Sequence, residues 1–212
     1  FSLGLKNHGI KITANISHEN GKADYSSEVA TLASAGGDAV AVLGYADQGG
    51  KGIIQAALDS GAFDTFILGD GMIAKSLVAT FGKDLNKSFG SMPGSLGKGA
   101  SLYKNVAELG GVDSNGAFVR ESYDAAALIV LAAQAGNSAD RASIAKNVMN
   151  VANAPGTKIY PGELKKGLEL LAKGKNVNYI GASDVTFTDV GEASGSFLEM
   201  VVKGDDFKGI KQ

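Results

Sequence analysis

Two short apolar runs, each followed directly by glycine, are the feature that most limits the folds open to this chain. Residues 39–43 read AVAVL and precede Gly44, and residues 65–68 read TFIL and precede Gly69. Continuous runs of this kind are typical of parallel strands that are buried on both faces of a sheet. The stretches between the runs space their apolar side chains as amphipathic helices do. This alternation predicts an α/β fold with a doubly wound parallel sheet.

The rest of the first half extends the alternation. Residues 10–16 alternate branched and polar side chains, which favours a strand. Helices are predicted over residues 1–7, 24–35, 49–60 and 73–81, with an extended piece over 89–93. Because the first predicted helix is already under way at residue 1, the chain is expected to be a fragment of a longer protein.

From residue 99 to residue 174 the pattern changes to helices with almost no strand. The predicted helices span residues 101–109, 118–135, 143–151 and 163–172, and short strands return at about 185–187 and 196–202. The second of these helices becomes apolar on all sides, which predicts a buried central helix.

The change of pattern predicts that the chain leaves one lobe and enters another. The segment 93–99 (PGSLGKG) is the predicted crossing, because it combines Pro, Gly and Ser with little periodicity. We therefore expect a lobe of βα units in residues 1–93 and a mainly helical part of a second lobe in residues 94–180. Residues 181–212 would supply closing strands, a hinge and the return to the first lobe.

Composition excludes several classes of function. The formal net charge is −2 with no basic stripe, which argues against nucleic acid as a partner. The longest apolar stretch, residues 125–133, is far shorter than the roughly 20 residues that span a bilayer, so membrane insertion is not expected. The chain has no cysteine and two histidines, and its sequence contains no metal-ligand cluster and no G-x-S-x-G motif. We therefore predict no enzyme activity, no metal and no cofactor.

Side chains that could bind a ligand follow the two apolar strands. In open α/β sheets ligands lie beyond the carboxyl ends of the strands, where this chain has Tyr45 and Asp70. Asp70 stands between Gly69 and Gly71, so a ligand could approach both backbone and carboxylate. The carboxylate would pair with an α-ammonium group, and Tyr45 would supply a ring face and a hydroxyl. Alternatively, Asp70 caps a helix that starts near Ile73.

Two other clusters have a structural interpretation. The GGKG run at residues 49–52 is similar to a phosphate-binding loop, but the residue after its lysine is glycine and the motif's first glycine is replaced by tyrosine. A plain helix N-terminus is therefore favoured. Arg120, Glu121 and Asp124 are expected to form an ion-pair network at the exposed end of the long helix.

Four stretches together resemble the type I periplasmic binding proteins, specifically the branched-chain amino acid (leucine, isoleucine and valine) receptors of ABC transporters. They are KADYSSEVATLASAGGDAVAVLGYADQGGKGIIQAALDSG (22–61), FILGDGM (66–72), GAFVRESYDAAALIVLAAQAG (116–136) and PGELKKGLELLAKGKNVNYIGASDVTFTDVGEASGSF (161–197). The resemblance covers essentially the whole chain and matches the C-terminal portion of the family. It implies that residues 1–93 form the C-terminal lobe and that residues 94–180 belong to the N-terminal lobe.

The resemblance also implies a site. In the family, a tyrosine in a GY turn lines the ligand cleft, an acid between glycines binds the ligand's ammonium group, and an aromatic residue at the start of the returning helix contacts the ligand side chain. These positions fall on Tyr45, Asp70 and Phe118. Asp70 departs from the usual Glu, which implies a closer ammonium group or an intervening water, and Ser183-Asp184 departs from the closing motif. The part of the N-terminal lobe that holds the ligand carboxylate in the family is absent from this chain.

The resemblance implies the periplasmic, extracytoplasmic substrate-binding component of an ABC importer. Such a protein would be a monomer that captures a small aliphatic or branched-chain amino acid and delivers it to a membrane permease, with hinge closure in place of chemistry. Gln48 and Glu121 could admit a ligand with a polar side chain. Three alternatives remain open: the sensor domain of a receptor or regulator with the same fold, an α/β enzyme that uses a nucleotide at residues 49–51, and a stable fragment without activity of its own.

Overall fold

The computed structural model describes residues 2–94, 97–114, 116 and 118–210, which form two compact units. The first unit runs up to Met92 and resumes at Leu198, and the second unit is Pro93–Phe197. Part of the predicted crossing at residues 93–99 lies outside the described residues. The three-part division into lobes stays a prediction, because compactness does not say which lobe a unit represents.

Strands and helices alternate along the first half of the chain. The helices are α1 (Ser2–Asn7), α2 (Ser26–Ala35), α3 (Gly50–Ser60), α4 (Lys75–Phe81), α5 (Lys98–Leu109), α6 (Val119–Ala135), α7 (Arg141–Ala152) and α8 (Leu164–Ala172). The strands are β1 (Val40–Val42), β2 (Phe66–Leu68), β3 (Phe89–Pro93), β4 (Thr157–Ile159), β5 (Val177–Tyr179), β6 (Thr186–Phe187), β7 (Ala193–Ser194), β8 (Phe197–Lys203) and β9 (Asp206–Ile210). Short 3₁₀ turns lie at Ala46–Gln48, Asp70–Met72 and Gly82–Leu85. Among the described residues, no helix is both long and apolar enough to cross a bilayer.

The first unit is built on a five-stranded sheet with the order β1-β2-β3-β8-β9. β1 pairs with β2 and β2 with β3 in parallel, with Val42 opposite Leu68 and Leu68 opposite Gly90. β8 and β9 form an antiparallel hairpin at one end. Strand and helix side chains share one core, in which Ile54 and Phe66 are fully buried. The predicted α/β fold with a parallel sheet is confirmed.

The predicted strand over residues 10–16 is wrong. Burial does alternate in this segment, since Ile12, Ala14 and Ile16 are half-buried and the residues between them are exposed. However, the segment forms no strand, and no backbone hydrogen bond between described residues joins it to β1 at the edge of the sheet. Apolar side chains at every second position show which side of an extended segment is covered by the protein. A strand also requires backbone hydrogen bonds to a neighbouring strand.

The second unit is mainly helical around a parallel pair of short strands. α6 packs against α7 and α8, and β4 pairs with β5, with Thr157 opposite Val177 and Ile159 opposite Tyr179. The expectation of almost no strand over residues 99–174 missed β4, and the expectation that strands return only at about residue 185 missed β5. Each has three residues with a polar residue at its centre, which is too short for a recognisable period.

The prediction that the long helix is buried on all sides is wrong for one face of α6. Leu128 and Leu131 lie in the core of the second unit, whereas Ile129 and Val130 are 51% and 42% exposed. When a helix is apolar on every side, its sequence alone does not show which face packs against other elements of the fold.

The carboxylate of Asp124 lies in the interior of the second unit. It is 2% exposed and accepts hydrogen bonds from the Tyr179 hydroxyl and from the N–H of Ala182, both at 2.7 Å. The N–H and the hydroxyl of Ser183 donate to its other oxygen at 2.8 and 2.6 Å. The expected role of Asp124 in an exposed ion-pair network is therefore wrong. Instead, Asp124 fixes the turn between β5 and β6.

The second unit is expected to lose stability at alkaline pH because of Tyr179. Burial, the charge of Asp124 and the hydrogen bond to it raise the pKa of the Tyr179 hydroxyl above its usual value of 10.0. Since the folded-state pKa is the higher one, the stabilisation is complete below pH 10 and is lost as the pH rises above it. In an alkaline titration followed by ultraviolet absorbance, buried tyrosines such as Tyr179 should ionise only at the pH at which the circular dichroism signal of the folded protein is lost. Tyr179→Phe should remove one of them, and an unchanged titration would contradict the prediction.

Candidate functional site

The carboxyl ends of β1 and β2 meet at one edge of the sheet, because the strands are parallel and in register. The N–H of Gly69 continues the ladder by donating to the carbonyl of Val42 at 3.1 Å. Beyond this bond, the turn after β1 (Gly44 and Tyr45) contacts the turn after β2 (Gly71). A Cβ placed on Gly71 would lie 2.5 Å from the carbonyl oxygen of Gly44 and 2.8 Å from Cδ1 of Tyr45. The structure therefore brings the tyrosine and the acid-bearing turn together.

Tyr45 presents its ring at this edge and is 54% exposed. Its backbone is extended, with φ −115° and ψ 136°. Its carbonyl accepts hydrogen bonds from the N–H groups of Gln48 at 3.1 Å and Gly50 at 3.0 Å. These bonds fix the backbone while the ring stays open to solvent. Such a ring can cover an apolar group, and its hydroxyl can hydrogen-bond.

Asp70 presents an exposed carboxylate at the start of the 3₁₀ turn Asp70–Met72. Its Oδ1 accepts a hydrogen bond from the N–H of Gly71 at 2.8 Å, and its Oδ2 accepts none from the described residues. α4 begins only at Lys75, after Ala74, and has no side-chain cap. The alternative that Asp70 caps the helix near Ile73 is therefore wrong. The side chain orders its own turn and leaves one oxygen open to a cation.

Phe118 belongs to the second unit, whereas Tyr45 and Asp70 belong to the first. It precedes α6 in the left-handed conformation, with φ 60°, and its carbonyl accepts a hydrogen bond from the N–H of Ser122 at 2.9 Å. This backbone region is unfavourable for a bulky residue. The ring is 39% exposed, so it can contact a ligand, and its role stays a prediction.

Asp47, which no sequence pattern indicated as a site residue, links the turn after β1 to α4. Its carboxylate accepts hydrogen bonds from Lys51 Nζ at 2.6 Å and from Ser76 Oγ at 3.0 Å. These bonds, the one from Lys51 first, lower the pKa of Asp47 below its usual 3.8. Because Ser76 lies on α4, they connect the turn after β1 to the helix after β2. The spacing of four residues between Asp47 and Lys51 is a sequence signal for the ion pair between them, whereas no sequence signal indicates the contact with Ser76.

The glycines of the GGKG run make room for neighbouring side chains. A Cβ on Gly52 would lie 2.7 Å from the Tyr25 ring, and one on Gly50 would lie 2.6 Å from Cε of Met72. The lysine of the run, Lys51, is paired with an aspartate at 2.6 Å. These contacts favour the structural interpretation of the run over phosphate binding.

The edge of the first unit is suited to bind a cationic group on a small, partly apolar molecule. It offers one free carboxylate oxygen and an exposed aromatic ring, and the glycines beside the aspartate let the two turns pack closely. Within the part of the chain that the structure describes, no group of three or more His, Cys, Asp and Glu side chains could hold a metal ion.

Comparison with known proteins identifies the fold. No protein-family profile and no curated protein sequence matches the chain. Among solved structures, the chain is similar to a leucine binding protein from Thermotoga maritima, with 19% identity, a TM-score of 0.66, and coverage of 90% of this chain and 49% of that one. It is also similar to a type 1 periplasmic binding protein from Bordetella pertussis, with 18% identity, a TM-score of 0.70, and coverage of 99% and 55%. A third similar structure is a branched-chain amino acid ABC transporter protein from Thermus thermophilus with bound valine, with 14% identity, a TM-score of 0.59, and coverage of 100% and 55%.

The chain has the type I periplasmic binding protein fold, as the sequence resemblance predicted. It spans about half the length of these structures and corresponds to their C-terminal portion. Likeness at this level of identity establishes the fold, and the ligand and the biological role are matters for proposal.

Proposed function

We propose that this chain is the amino-acid-binding portion of the extracytoplasmic substrate-binding protein of an ABC importer. The observation that carries the proposal is the exposed carboxylate of Asp70, which lies between Gly69 and Gly71 in a turn that packs against the ring of Tyr45 at Gly71. The similar structures support it, since they are described as a leucine binding protein and a branched-chain amino acid ABC transporter protein with bound valine. The proposed ligand is a small aliphatic or branched-chain amino acid.

In the proposed mechanism, the ligand's α-ammonium group binds Asp70. A charge-assisted hydrogen bond to a carboxylate is about twice as strong as a neutral one, so the free oxygen of Asp70 is the main polar anchor. Tyr45 covers the aliphatic side chain, and Phe118 contacts it as the resemblance implies. Binding and hinge closure take the place of a chemical reaction.

The proposal includes a cellular setting. The protein works in the periplasm as a monomer, delivers its ligand to a membrane permease, and requires neither a cofactor nor nucleic acid. The structural neighbours are substrate-binding proteins, which supports a binding role rather than an enzymatic one.

A thermal-shift screen of the twenty amino acids tests the proposal, using the full-length protein that contains this chain, stripped of bound ligand by unfolding and refolding. A ligand that binds only the folded state stabilises it by about 2.7 kcal/mol at a hundredfold excess over its Kd. We expect a small aliphatic amino acid to raise the Tm of the wild type and to have no effect on Asp70→Ala.

The matched control is Asp38→Ala, because Asp38 is an exposed aspartate just before β1, at the opposite end of that strand. This variant should keep the full ligand-induced shift. A shift that survives in Asp70→Ala would preserve a receptor role and refute the site. No shift with any amino acid would refute the proposed ligand class and favour a sensor of another solute on the same fold.

A further inference from the structure

The two glycines beside Asp70 are each covered by an apolar side chain from the neighbouring strand end. A Cβ on Gly71 would lie 2.8 Å from the ring of Tyr45, and a Cβ on Gly69 would lie 3.4 Å from Cδ2 of Leu43. The two residues that flank Asp70 in the chain therefore each lie next to an exposed apolar side chain of the neighbouring strand end. The site described so far uses only one of them.

Leu43 follows β1 on the face of the strand that is open to solvent. Val40 and Val42 of β1 are 8% and 3% exposed, whereas Ala41 is exposed and Leu43 is 56% exposed. A single exposed leucine needs no explanation. Leu43 differs because it lies two residues from Tyr45, a similarly exposed aromatic residue, and because the two side chains lie next to the two glycines that flank Asp70. A few convergent polar groups among exposed apolar side chains are typical of ligand sites.

We propose that Leu43 is a ligand-contacting residue that determines specificity by limiting the size and polarity of the ligand's side chain. This inference rests on the proposed function. Leu43 and Tyr45 form two walls, and the carboxylate between them holds the ammonium group. A short aliphatic side chain of the ligand would bury apolar surface against both residues, which favours binding. A polar side chain would leave its hydrogen-bonding groups unpaired there, and a bulky one would meet the leucine.

Two substitutions separate size from polarity. Leu43→Ala removes the wall, and Leu43→Asn keeps a side chain branched at Cγ but removes its apolar character. A difference of one methylene group in an apolar pocket changes discrimination between ligands by roughly 10- to 200-fold, and the low end applies here because Leu43 is half exposed. We expect each variant to bind the wild-type ligand about tenfold more weakly. We also expect Leu43→Ala to improve the relative affinity for larger aliphatic or aromatic amino acids.

The measurement is isothermal titration of the full-length protein with a series of amino acids of increasing side-chain size. Leu109→Ala is the control, since Leu109 ends α5 in the second unit and is 91% exposed. It should bind every ligand as the wild type does. The Tm without ligand should be unchanged in the Leu43 variants, because the side chain is exposed.

The outcomes separate this inference from the function on which it rests. If the wild type binds an amino acid and Asp70→Ala abolishes binding, but both Leu43 variants keep the wild-type affinities and rank order, Leu43 has no role in specificity. If the wild type binds no amino acid, both proposals fail. The inference is supported if Leu43→Ala binds the ligand of the wild type more weakly and ranks the amino acids in a different order of affinity.

Discussion

Replacing Asp124 with alanine is expected to lower the free energy of unfolding of the second unit by about 3–5 kcal/mol. The reason is that alanine leaves buried donors without an acceptor. Removing one partner of a buried hydrogen bond costs about 1–3 kcal/mol for each polar group left unsatisfied. Asp124 accepts hydrogen bonds from the Tyr179 hydroxyl, from the N–H of Ala182, and from the N–H and hydroxyl of Ser183. Water that enters the space would recover part of this loss.

The turn that Asp124 holds has no simple substitute for these bonds. Gly181 has φ +65°, and a Cβ placed on it would lie 2.6 Å from Cγ of Asp124. The backbone at Gly181 therefore packs directly against the Asp124 carboxylate, with no room for a side chain between them. Asp124→Asn should also destabilise the unit, by less than alanine does, because an amide N–H₂ would point at N–H donors in place of one acceptor oxygen.

Urea denaturation measures this effect, and hydrogen exchange of the Ala182 and Ser183 amides locates it. Both amides should exchange faster in the Asp124 variants. The control is Glu169→Gln, since Glu169 is an exposed residue on α8 and should be replaceable without effect. Equal stability of Asp124→Ala and the wild type would show that the carboxylate is dispensable to the second unit.

Replacing Gly71 with alanine is expected to abolish most ligand binding while destabilising the first unit only moderately. The added methyl group would lie 2.5 Å from the carbonyl oxygen of Gly44, a backbone atom that cannot rotate away. It would also meet the ring of Tyr45. Overpacking of this kind costs about 1–3 kcal/mol. Relief of the contact requires the turns after β1 and β2 to separate, which displaces Tyr45 from Asp70.

The affinity for the amino acid found in the thermal-shift screen should fall at least about tenfold, which corresponds to 1.4 kcal/mol. Gly4→Ala is the matched control, since a Cβ on Gly4 in α1 would meet no atom within 4 Å. Wild-type affinity in Gly71→Ala would mean that contact between the two turns is irrelevant to binding, and the proposed site would have to be abandoned.

The strand ends that carry the candidate site could be predicted from the sequence because their signal is local. The apolar runs before Gly44 and Gly69 are continuous, and each ends in a turn, so β1, β2 and the helices after them could be placed from pattern alone. Parallel pairing then brings Tyr45 and Asp70 to one edge. The contact between Asp47 and Ser76 could not be predicted, since it joins residues 29 positions apart across two elements.

Hydrophobic periodicity predicted the helices of this chain and the strands β1 and β2, and it placed Tyr45 and Asp70 after neighbouring strands. Only the tertiary structure decided that residues 10–16 remain unpaired, that one face of α6 is exposed, and that Asp124 lies inside. The physical reason is that periodicity reports the preference of each side chain for an apolar surface. Whether a backbone finds a partner strand, or a carboxylate finds buried donors, depends on residues far away in the chain that only the folded structure brings together.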